Sequence, residues 1–72
     1  MAQLSSAQYD ALERAIVDGQ RIAVMRRGTE YIVIPTSIGL RQGKETIEAL
    51  HPTTGERLTL VIEDVEEIEV VR

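Results

Sequence analysis

The chain has no cysteine, phenylalanine or tryptophan among its 72 residues, and only two tyrosines, two prolines and one histidine. Without cysteine it forms no disulfide, carries no thiolate nucleophile and offers no Cys-ligated zinc or iron–sulfur cluster. Without Phe or Trp the core must be aliphatic, and platforms for stacking single-stranded nucleic acid are scarce. Long apolar runs are also missing. The longest are four residues, such as Tyr31–Ile34, against the roughly 20 that a spanning helix needs. No signal-peptide pattern opens the chain, so a cytoplasmic location is the default expectation, with no membrane partner.

What is present suits one small domain spanning 1–72, since domains run from about 50 residues upward. Hydrophobic residues are 43% and charged residues 28%, a globular balance. A domain this size has only about 3–5 kcal/mol of stability, which disfavours a deep enzyme pocket. The net charge of −4 argues against a nonspecific nucleic-acid coat. That charge is unevenly spread: residues 1–44 carry six basic and four acidic side chains, whereas residues 56–72 carry two basic and six acidic.

The first element reads as a helix over about 5–18. Ser5 and Gln8 have capping-box spacing, and Leu4 with Tyr9 has the spacing of a hydrophobic staple. Tyr9, Leu12 and Ile16, with Ala15 beside them, give one core-facing stripe, and Gly19 suits the left-handed residue that ends a helix. From Gln20 the period changes to two. Strands are expected at about 20–26, 30–41, 45–51, 56–63 and 66–71. Tight turns fall at Arg27-Gly28 and Gln42-Gly43, with a bend or bulge at Pro35 and a second bend at Gly39. One helix followed by five short antiparallel strands is a mainly β layout, that of a small SH3-like or Sm-like five-stranded barrel with an N-terminal α-helix. An open α+β sheet crossed by one helix is the competing architecture.

Catalytic constellations are thin. His51 precedes Pro52 in a turn, and no serine lies in a nucleophile motif. Glu63, Asp64, Glu66, Glu67 and Glu69 read as a solvated acidic face, because no glycine-closed loop gathers them around a hard cation. The expectation is therefore a non-enzymatic protein with no catalytic residues, no metal and no cofactor. The basic pairs Arg26-Arg27 and Arg41 with Lys44 should lie at opposite ends of one long strand, so direct nucleic-acid binding is only a secondary expectation. On the helix, Asp10, Glu13 and Val17 fall at i, i+3 and i+7 on a flank beside the buried stripe. They form a candidate ridge for a basic partner. The bland account of Asp10 and Glu13 is a favourable place at the helix amino end, with Asp10–Arg14 as an i,i+4 pair.

Two resemblances add to this reading. Tyr9-Asp10-Ala11-Leu12-Glu13-Arg14-Ala15 resembles the helix of the Rof (YaeO) family of bacterial antiterminators, and Gly55–Val65 is similar to that family's G-E-x-x-x-L-x-L-D-x-I stretch. The resemblance covers about residues 9–68. It implies an Sm-like barrel that docks on the RNA-binding domain of the termination factor Rho and blocks RNA loading. Tyr9, Asp10 and Glu13 would then belong to the docking helix, and Arg41 and Lys44, in the loop before the third strand, would be secondary contacts. The chain also resembles WYL domains, Sm-like ligand-sensing modules of bacterial regulators. Leu12-x-x-Ala15-Ile16, Arg21-Ile22, and Pro35 before the hairpin at Gly43 carry that likeness, while Glu45-Thr46-Ile47 replaces the naming tripeptide. The lead expectation is a Rof-like, Rho-binding protein. A WYL-like or Sm-like nucleic-acid or small-ligand sensor and a structural homo-oligomer are the alternatives, and the oligomeric state is left open.

Overall fold

The computed structural model describes residues 4–71. Helix α1 spans Ser6–Asp18 and starts at the capping box read from the sequence. Ser5 Oγ accepts from the Gln8 amide, and the Ser5 amide donates to Gln8 Oε1, each at 3.2 Å. The helix ends at Gly19, whose φ of 68° is the left-handed conformation that glycine adopts at little cost. Leu12 and Ala15 are fully buried, while Tyr9 and Ile16 pack against the edge of the core beside Leu4.

Five strands follow: β1 Ile22–Arg26, β2 Thr29–Arg41, β3 Lys44–Leu50, β4 Arg57–Val61 and β5 Val65–Val70. Both tight turns have two residues with positive φ, Arg27 (51°) with Gly28 (77°) and Gln42 (52°) with Gly43 (77°). That is the signature of type I′ turns, whose twist matches that of the flanking strands. The strands form one antiparallel sheet in the order β4-β3-β2-β1-β5. With α1 packed on β2 and β5, this is the small, mainly β fold with an N-terminal helix expected from the sequence. The core is aliphatic throughout: Leu12, Ile22, Val24, Val33, Ile47, Leu60, Ile62, Val65 and Ile68 are among its buried members.

Strand β2 is the spine, because its first half pairs with β1 and its second half with β3. The bend between the halves lies at Pro35, where the register shifts before Ser37. Proline has no N–H for the ladder, so the chain bulges there. The Thr36 hydroxyl stitches the bulge down by donating to the Glu48 carbonyl at 3.0 Å. No second bend occurs at Gly39, which sits opposite Thr46 in an unbroken ladder from Ser37 to Arg41. Its lack of a side chain serves close approach instead: a Cβ there would lie 3.3 Å from Thr46 Oγ1.

The fourth strand is shorter than the alternation implied. Ile62–Asp64 form a 3-10 turn, with the Val65 amide returning to the Ile62 carbonyl. Ile62 is buried in that turn as it would be in a strand, so alternation alone does not separate the two. This turn joins β4 to β5, and no ladder links those two strands among the described residues. The sheet therefore curls through its bend at β2 rather than closing by hydrogen bonds.

Candidate functional site

The residues singled out in the sequence fall into two groups, one on α1 and one at the β2–β3 hairpin. Asp10 and Glu13 are exposed, and Val17 beside them is 84% exposed, so the ridge faces solvent. The first turn of α1 holds no acidic residue, and the helix dipole acts mainly within that turn. Favourable placement at the helix amino end therefore does not account for Asp10 and Glu13. Among the described residues, Asp10 makes no ion pair with Arg14.

Tyr9 behaves differently. Its ring is half-buried against the core, and its hydroxyl donates to Glu45 Oε1 at 2.9 Å. That hydrogen bond, then burial, then the carboxylate's charge hold the Tyr9 hydroxyl above its ordinary pKa. Tyr9 thus ties the helix to the start of β3, next to Lys44.

Arg41 and Lys44 are strand ends rather than loop residues, and they face each other across the β2–β3 ladder. Each has a carboxylate: Arg41 lies 3.4 Å from Glu48 and Lys44 lies 3.8 Å from Glu63. At the opposite end of β2, Arg27 lies 3.7 Å from Asp64. These pairs are well exposed and individually weak, yet they offset the charge that phosphates would seek.

The outer face of β2–β3–β4 carries a cluster that sequence reasoning missed. Glu48 Oε2 accepts from Thr46 Oγ1 at 2.9 Å, while its Oε1 accepts from Thr59 Oγ1 at 3.1 Å and from Arg41 Nη2 at 3.4 Å. The Thr46 hydroxyl is the leading cause of a lowered Glu48 pKa; burial is the next largest influence and opposes it, while Thr59 and Arg41 add to the lowering. Glu48 is thus an anion at neutral pH, pinned in place and poorly suited to shuttling protons. Thr46 and Glu48 are two apart on one strand, which does signal a shared face. The contributions of Thr59 and Arg41 required the register.

Beside Glu48 lies an open groove lined by Thr36, Ser37, Glu48, Ala49, Leu50 and Arg57. The Pro35 bulge forms one wall and places Thr36 and Ser37 there. Arg57 pairs with Leu50 in the β3–β4 ladder and, among the described residues, has no carboxylate partner. The groove therefore combines a fixed anion, two hydroxyls and an unpaired guanidinium over an apolar floor. This arrangement suits orientation of a small polar ligand.

His51 is structural. Its Nδ1 accepts from the Thr53 and Thr54 amides at 3.2 and 3.3 Å, and its carbonyl accepts from Gly55 at 2.9 Å. The ring thus caps the turn that leads into β4. Among the described residues, no three His, Cys, Asp or Glu side chains are grouped to hold a metal, and no helix is long and apolar enough to cross a membrane.

No family model matches the chain, and no curated protein matches it. Among solved structures it is similar to Proteasome accessory factor B/C (PafBC) of Arthrobacter aurescens, with a TM-score of 0.74 at 18% identity. The match covers 97% of this chain and 12% of that one, so the chain corresponds to a small part of a longer protein. At this identity the likeness is one of fold.

Proposed function

We propose that the chain is a non-catalytic binding module of the WYL-like, Sm-like kind, serving a regulatory protein by taking a small polar ligand in the groove beside the Pro35 bulge. The fold likeness to PafBC, a WYL-containing regulator, carries the module class. Thr36, Ser37, Glu48 and Arg57 carry the ligand class. A small ligand is favoured over a nucleic-acid strand because Arg27, Arg41 and Lys44 are each paired with a carboxylate. Among the strands only Tyr31 offers an aromatic face, at 37% exposure. Titration with nucleoside monophosphates, followed by amide NMR, tests the reading. Shifts centred on Ser37, Glu48 and Arg57 support it. Shifts at Arg26, Arg27, Arg41 and Lys44 with a short oligonucleotide would move the site to the hairpin ends, and silence in both titrations would remove the reading.

Docking on Rho in the Rof manner is the second reading, favoured by one observation: Asp10, Glu13 and Val17 form an outward ridge whose two carboxylates have no ion pair among the described residues. Tyr9 contributes to that reading only by anchoring the helix, since its hydroxyl is engaged with Glu45. A Rho-dependent termination assay decides the matter. Termination that persists with excess protein, together with no calorimetric signal at low salt, excludes it.

A further inference from the structure

The six glutamates in the strands divide into two sets. Glu45 accepts from Tyr9, Glu48 from two threonines and Arg41, and Glu66 from the Gly28 amide at 3.1 Å. Among the described residues, Glu30, Glu67 and Glu69 accept no hydrogen bond and form no ion pair. These three share one place, the outer face of β5–β1–β2. Met25 is opposite Glu30 on one side and Glu67 on the other, and in the adjoining row Ala23 is opposite Ile32 and Glu69. The result is a shallow depression lined by Ala23, Met25, Glu30, Glu67 and Glu69. Ile32 extends its apolar strip and is 38% exposed.

We propose that this face is a docking surface for a basic, partly aliphatic segment of a partner protein. Its apolar centre and charged rim follow the anatomy of protein interfaces. Lysine or arginine stems fit along Met25 and Ala23 while their heads reach the flanking carboxylates. Glu30 and Glu67 stand on either side of β1, about 10 Å apart by two interstrand spacings. That backbone spacing gives a basic segment lying along Met25 a carboxylate on each flank. A second copy fits poorly, because like faces would bring carboxylates against carboxylates. The surface is separate from the groove at Glu48, so either site can fail without the other.

The test uses two synthetic peptides of equal positive charge, one with lysines and arginines alternating with leucine and valine, the other with the same charges spaced by serine. On the proposal, the aliphatic peptide binds at least fivefold tighter and shifts the amides of Ala23, Met25, Glu30, Ile32, Glu67 and Glu69. Glu67→Lys combined with Glu69→Lys weakens it at least tenfold, and Asp10→Lys leaves it unchanged. Equal affinity for the two peptides overturns the proposal, as do shifts centred on Asp10 and Glu13, which would assign the basic partner to the helix ridge. Sedimentation showing that the free chain self-associates through Met25 and Ile32 also overturns it.

Discussion

Gly39 and Thr46 face each other across the β2–β3 ladder so closely that a methyl group on Gly39 would lie 3.3 Å from Thr46 Oγ1. Thr46 is fully buried, and its hydroxyl is committed to Glu48, so it yields only by releasing that bond. Alanine in a strand normally gains over glycine. Here Gly39→Ala should instead lose roughly 1 kcal/mol by overpacking and raise the Glu48 pKa. Denaturant melts and a carboxyl NMR titration check both; a stabilised variant with Glu48 unmoved would show that Thr46 is free to shift.

The same carboxylate gives an acid signature. The folded state holds Glu48 below its ordinary value of 4.5, so its contribution to stability is present above that value and is lost as pH falls through the folded pKa. Glu48→Gln should remove this part of the acid limb. Comparing urea midpoints of the two proteins between neutral pH and the acid range measures it, and parallel profiles would count against the cluster.

Tyr9 gives the opposite sign at the alkaline end. Its hydroxyl is held above the ordinary value of 10.0, so its contribution is present below that pH and is lost as pH rises through the folded pKa. Tyr9→Phe should cost about 0.5 kcal/mol near neutrality, the low end for a hydrogen bond because this one is exposed. The variant should also lose less stability than the parent above pH 10. Thermal melts at paired pH values read the difference.

Gln42 is a non-glycine residue at φ 52° in the first position of a type I′ turn, where asparagine is preferred. Gln42→Asn should stabilise the chain by about 0.5 kcal/mol through relief of backbone strain. An unchanged midpoint in urea would mean that the turn is already relaxed.

His51 caps its loop through Nδ1. His51→Ala should cost about 1 kcal/mol for the two amides left without an acceptor, and His51→Asn should recover much of it, because asparagine makes the same kind of local turn bond. Equal losses in both variants would place the contribution in ring packing instead.

Local chemistry made much of this fold legible. Ser5 with Gln8, Gly19, and the two X-Gly turns act through neighbours in sequence, and each lies where the chain pattern puts it. Pro35 marked its bulge for the same reason, since a missing N–H is a property of the residue itself. Gly39 and Ile62 were less legible: a glycine that makes room for a neighbour resembles one that bends, and a buried residue in a 3-10 turn keeps strand-like alternation.

The sequence by itself determined the helix, the five strands and their order along the chain, because capping, periodicity and turn chemistry are short-range. Only the tertiary structure decided which charges are spent and which are free. Tyr9 with Glu45, Glu48 with Thr59 and Lys44 with Glu63 are separated by 36, 11 and 19 positions in the chain. The same register left Glu30, Glu67 and Glu69 together around Met25, without partners among the described residues. Such pairings depend on strand order and on which way each side chain points, and both are set by how the bent sheet buries its aliphatic core.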